Sequence, residues 1–143
     1  MKQILFLLLG VISIALVLPL AASGQPKGSS ILKETIKKME DDTDRFQGSL
    51  DTDLDHSPMN GTPLEDQINK FVDAFEGAVD RLKEHYDDQG VAPGAANEVL
   101  IRGRDIDRFM RKYHTGTRSE ADWLQVRKSL QRVAKAYRIP WRW

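Results

Sequence analysis

The sequence contains no cysteine. That absence excludes disulfide bonds, zinc-thiolate centres, an acylated lipoprotein anchor and covalently attached c-type haem. Histidine is almost as scarce. His56, His85 and His114 are scattered, and neither H-E-x-x-H nor a paired E-x-x-H spacing occurs, which counts against zinc-protease and di-iron bundle chemistry. No histidine falls on an apolar helical stripe, so haem ligation by Met39 and a histidine is disfavoured as well. A G-x-S-x-G elbow and a phosphate-cradling glycine loop are missing, and Ser57, Ser119 and Ser129 have no nearby base with a third residue to orient it. Alternating apolar and polar residues, the mark of a strand, are confined to the last few positions, and no repeat of solenoid length is present. The chain therefore reads as all-α and non-enzymatic, with no cofactor.

What is there begins with a signal-like N-terminus. Lys2 precedes the apolar run ILFLLLGVISIALVLPL, and AASG then supplies the small residues that signal peptidase prefers. Residues 1–24 are read as a signal peptide cut after Ser23 or Gly24, which makes the protein exported, either periplasmic or secreted. The alternative is an uncleaved anchor, because Ile4 to Ala22 approaches the minimum needed to cross a bilayer. Residues 25–30 read as a polar linker.

Residues 31–143 are expected to form an antiparallel bundle of three to four helices. Leu32, Ile36 and Met39 mark a first short helix ending near Phe46. A long connection follows over residues 47–62, rich in Gly, Pro, Asp and Ser. T-P-L-E, from Thr62 to Glu65, is a start signal for a second helix whose apolar stripe includes Leu64, Ile68, Phe71, Phe75, Val79, Leu82 and Tyr86. After VAPGAAN, Ala96, Val99, Leu100, Gly103, Ile106, Met110 and Tyr113 line a third. Gly103 lies inside that stripe, where only a close helix approach compensates the roughly 1 kcal/mol that glycine costs. Thr117 and Glu120 repeat the capping pattern before a fourth helix with Trp123, Val126, Leu130, Val133, Ala134 and Tyr137 inward, and Pro140 ends it.

The tail over residues 139–143 alternates Ile139, Trp141 and Trp143 with Pro140 and Arg142. An extended tail projects the apolar set to one side, so it is expected to fold back and seal the core beside Tyr137. The competing reading is a membrane-interface or partner anchor, since indole and guanidinium both suit headgroup depth. The pattern Trp123, Leu124, Arg127, Leu130, Ala134, Tyr137, Trp141, Trp143 resembles the C-terminal signature of a family of exported bacterial helical proteins with a W-x-W ending. The resemblance covers the second half of the chain and extends to LEDQINKFVDAFEGAVDRL. It implies bacterial origin and export, and no catalytic residue.

Formal net charge is zero, yet the charges are segregated. From Glu40 to Asp88 there are fifteen acids against four bases, and from Arg102 to Trp143 twelve bases against four acids. Asp66, Asp73, Glu76, Asp80, Glu84 and Asp87 fall opposite the apolar stripe of the second helix. Arg104, Arg108, Arg111 and Lys112 do so on the third, and Lys128, Arg132 and Lys135 on the fourth. These seven cations are the expected binding surface, unless they are merely solvated outer faces. Arg127 is set apart at the edge of an apolar stripe, with Asp107 as its expected partner and an unpaired, snorkelling side chain as the alternative.

Asp51, Asp53 and Asp55 have the spacing at which alternate carboxylates in a loop begin to wrap calcium. His56, however, stands where the turn glycine belongs, and Thr62 where the bidentate glutamate belongs, so an acidic linker accounts for them better. The resulting expectation is a cell-envelope binding or assembly protein. Its partner would be an anionic envelope component or a second copy, with no nucleic acid, and a membrane only through the N-terminal anchor or peripheral contact. A periplasmic chaperone or stress adaptor and a metal or cofactor carrier are the alternatives.

Overall fold

Apolar residues recurring every three or four positions become four α-helices: α1 (Lys27–Asp55), α2 (Pro63–Gln89), α3 (Pro93–Tyr113) and α4 (Thr117–Ala136). The structure, a computed structural model, describes residues 27–142. The signal-like residues 1–24 and Trp143 lie outside the described residues. The helices form an antiparallel four-membered ring in which α1 packs on α4 and α2, and α3 packs on α2 and α4. No helix among the described residues is long and apolar enough to cross a membrane.

The centre of the core is aromatic. Trp123 of α4 sits between Phe46 of α1 and Phe75 of α2, with ring centroids 5.1 and 5.8 Å away. Such tilted and edge-on pairs add about 1 kcal/mol beyond the area they bury. Gly103 lets α3 close on this cluster, because a Cβ there would lie 2.7 Å from Leu130 Cδ1 and 3.4 Å from Phe75 Cε2. The close approach expected from its place in the apolar stripe is therefore present.

The expected connection over residues 47–62 requires correction. Helix α1 continues to Asp55, and the link occupies only residues 56–62. Phe46, Leu50 and Leu54 continue the stripe of Ile36 and Met39, and all three are completely buried. Burial of that magnitude, roughly 2 kcal/mol per side chain, outweighs the weak helix propensity of Gly48, Ser49, Asp51 and Asp53. The polar side chains also turn their hydrogen bonds back onto the helix, with Ser49 donating to the Phe46 carbonyl at 3.0 Å and Thr52 to that of Gly48 at 2.9 Å. The start of α1 also moves, since Lys27–Ser30, expected as linker, is helical.

Helix ends follow local chemistry with one exception. At the start of α2, Thr62 accepts from the Leu64 N–H while Glu65 reaches back to the Gly61 N–H, and Pro63 occupies the first turn. Gly90, in the left-handed region at φ 73°, closes the other end. Helix α3 starts at Pro93, before the expected Ala96. At the end of α4, Arg138 turns left-handed at φ 55°, and the Arg138 and Ile139 N–H groups bond to the Lys135 and Ala134 carbonyls. This motif, rather than Pro140, ends the helix. The exception is the start of α4. Thr117 and Glu120 do not form a capping box, because the cap position is Gly116 and the Ser119 N–H is satisfied by Asp53 of α1 at 2.8 Å.

Candidate interaction face on α3 and α4

Polar residues placed inside the ring orient the ones outside it. Asp107 of α3 is almost fully buried, accepts the Trp123 indole N–H at 3.2 Å and forms ion pairs with Arg127 Nε at 3.3 Å and Arg111 Nη2 at 2.7 Å. The expected Arg127–Asp107 pair is therefore formed, across the α3–α4 seam. A buried carboxylate is tolerated only when its oxygens are satisfied in this way, and charge-assisted donors are the strongest available. The effect is to fix the outer edge of the seam, because Arg111 remains half-exposed while its guanidinium is tied to an internal anchor.

Around this seam the sequence places its cations as expected. Arg104, Arg108, Arg111 and Lys112 of α3 and Lys128, Arg132 and Lys135 of α4 are all exposed. Intramolecular partners take up only part of their charge. Arg108 lies 3.8 Å from Asp105 while still 74% exposed, Lys128 donates to Gln125, and Lys112 Nζ sits 4.7 Å from the centroid of Tyr113. Arg104, Asp107, Arg108, Arg111 and Lys112 border a shallow open concavity of about 370 Å³. Two exposed aliphatic residues lie in step with these stripes, Ile101 one turn before Arg104 and Leu124 one turn before Lys128.

The tail borders the same face. Ile139 and Trp141 are half-buried against the core while Pro140 and Arg142 point to solvent, the alternation expected of a tail that folds back. The Arg104 guanidinium lies 4.6 Å from the Trp141 ring centroid, a cation–π contact that joins tail to α3. Tyr137 is also half-buried, and its hydroxyl accepts the Ala92 N–H at 3.3 Å; burial pushes the phenol above its ordinary value. Trp123 and Tyr137 thus keep the structural positions expected of them, Trp141 joins them, and Trp143 lies outside the described residues.

The opposite side of the ring is acidic. Glu76 of α2 is held above the usual carboxylate range by burial first and then by Asp80, Asp44 and Asp73. Asp51 of α1 is raised likewise by burial, then by Asp55, Asp73 and Glu65. Both sets of neighbours come from α1 and α2 together, so the two helices present one interleaved acidic wall. At the far end of the ring the charge is balanced. Lys33 pairs with Asp87 at 2.8 Å, which raises the lysine and lowers the carboxylate.

The aspartate triad reads differently in three dimensions. Asp51, Asp53 and Asp55 lie on the last turns of α1, not in a loop. Helical geometry keeps Asp51 and Asp55 on the exposed outer face and turns Asp53 toward α4, so the three do not wrap a common point. Among the described residues no group of three His, Asp or Glu side chains is placed to hold a metal ion. Sequence reasoning overlooked Asp42, which is buried on α1 and bonded to Lys38 at 2.9 Å and to the Ser129 hydroxyl of α4 at 3.4 Å. Its signal was its register, between Met39 and Phe46 on the apolar stripe, masked by the acids around it. No family profile, curated protein or solved structure matches the chain.

Proposed function

We propose that the chain is a non-enzymatic binding or assembly protein of the bacterial cell envelope that docks through the basic face of α3 and α4 on an anionic partner. The observation that carries this reading is the two-sided charge layout. Seven exposed cations on adjacent helices face away from the acidic wall, and the α3–α4 seam between them is pinned from inside by Asp107. A surface of one sign raises the local concentration of a partner of the other and speeds encounter. Export is the reading of residues 1–24, and bacterial origin that of the tryptophan-rich ending.

The test uses cations that have no role inside the core. R108Q, K112Q, K128Q and R132Q combined should leave the helical content and thermal midpoint of the bundle within experimental scatter, since all four are exposed. Co-sedimentation with phosphatidylglycerol vesicles, and retention on an anionic polysaccharide, should fall at least about tenfold at low salt. Unchanged retention on both supports would sink the reading. Suppression of client aggregation by the variant and the original chain alike would favour the chaperone alternative. A metal or small molecule carried through native mass spectrometry would favour the carrier.

A further inference from the structure

The acidic wall carries a periodic feature that the basic face matches. On α2, Asp66, Asp73 and Asp80 follow one another at seven-residue steps, all exposed, and form no ion pair among the described residues. Seven helical residues advance about 10.5 Å and return to nearly the same side of the helix. On the opposite side of the ring the same step separates Arg104 from Arg111 and Lys128 from Lys135. A row of carboxylates and two rows of cations thus share one axial spacing, the arrangement by which flanking charges of adjacent helices select a partner and its register.

Local cations do not neutralise this row. On α1 and α2, Lys38 and Arg45 are engaged by the buried Asp42, Lys83 lies near Glu40, and Arg81 is taken by Glu98 of α3. Lys70 is left beside the row. On the basic face, Arg132 and Lys135 have no ion pair among the described residues, and Ile101 and Leu124 supply apolar contact at 47% and 50% exposure. Zero formal net charge means that copies do not repel one another at long range.

We propose that the anionic partner of the basic face is a second copy of this chain, whose α2 carboxylate row docks along the cation rows of α3 and α4. The proposal rests on the docking role given above to the basic face and names what fills it. Because the two surfaces lie on opposite sides of the ring, the contact is heterologous. Each added copy leaves one acidic and one basic face open, so the assembly grows as a chain or closes as a ring.

Sedimentation velocity of the full chain, run at about 20 mM and about 500 mM salt, tests this, because the screening length shrinks from about 20 Å to about 4 Å between the two. The expected result is concentration-dependent growth at low salt that dissolves at high salt. D66N/D73N/D80N and R104Q/K128Q/K135Q should each sediment as monomers, with circular dichroism confirming the fold. An equimolar mixture of the two should give a one-to-one dimer that does not grow, since each member retains one working face. A chain that stays monomeric at low salt, or variants that still assemble alone, would overturn the proposal. Vesicle binding separates the two failures. A monomer that binds phosphatidylglycerol vesicles through the same cations loses the self-docking proposal and keeps the basic docking face, whereas a monomer that binds nothing loses both.

Discussion

The Asp53 carboxylate on the last turn of α1 accepts the Ser119 backbone N–H at 2.8 Å, so one helix caps the beginning of another sixty-six residues away. The contact is close enough that a Cβ on Gly116 would run into the same carboxylate. A cap formed in trans does the work of the capping box that α4 lacks, and it also ties α1 to α4, because the carboxylate is presented only when the two helices are packed. Replacing Asp53 with alanine is expected to cost about 1 kcal/mol in urea unfolding, the usual worth of a cap. The same change at Asp51 or Asp55, which are exposed, should stay within about 0.5 kcal/mol. Equal effects at all three sites would show that the cap contributes nothing.

Asp107 gives the largest expected loss. Asp107→Ala leaves the indole N–H of buried Trp123 without its acceptor and Arg127 without its carboxylate, and should cost about 3 kcal/mol. A double-mutant cycle with Trp123→Phe checks the mechanism, since the two losses should be less than additive. Strict additivity would mean that the indole hydrogen bond is not part of the effect.

At Gly103, alanine has better helix propensity and would be expected to stabilise an exposed helix by about 1 kcal/mol. Here its Cβ meets the fully buried Leu130, so Gly103→Ala should destabilise by about 1 kcal/mol or more. Placing Gly103→Ala in a Leu130→Ala background should reverse the sign, because the new methyl then fills space. Stabilisation in the original background would show that the two helices are not pressed together there.

The tail is expected to behave as packing rather than as an anchor. Trp141→Ala should lower the thermal midpoint by about 5 °C, corresponding to about 1–2 kcal/mol of lost burial and cation–π contact with Arg104. A variant with its midpoint unchanged and its vesicle binding lost would assign the tryptophan to the membrane interface instead.

The acidic wall predicts a pH dependence of defined sign. Burial and the carboxylates of Asp80, Asp44 and Asp73 raise Glu76 in the folded protein above its unfolded value. The ionised form therefore opposes folding above the folded-state value, and the penalty fades as pH falls through it toward the unfolded value of about 4.3. Glu76→Gln should accordingly stabilise at pH 7 by a few tenths of a kcal/mol, a small figure because solvent screens the group. Urea midpoints should converge near pH 4. A glutamine variant that is less stable at pH 7 would reverse the assignment of Glu76 as a strained charge.

Period is a local property, so the existence of the four helices and their inward faces is readable along the chain alone. The stripe from Ile68 to Tyr86, the Thr62–Glu65 start, the alternation of the tail and the outward position of the seven cations of the basic face on α3 and α4 are all encoded within a few turns of chain. Even the pairing of Arg127 with Asp107 was legible, since each stood out as a charge at the edge of an apolar stripe. Packing between helices set the state of residues whose local preference was overruled. Gly, Ser and Asp over residues 47–55 favour a loop, and burial of Leu50 and Leu54 against the other helices makes them helix. Asp53 looks like its neighbours Asp51 and Asp55 until α4 supplies an unsatisfied N–H, and Asp42 looks like one more surface acid until Ser129 comes within reach. The meeting of acids from α1 and α2 in one wall belongs to the same class. Packing brings groups distant in the chain together, and the burial and charge of each depend on neighbours that local periodicity does not specify.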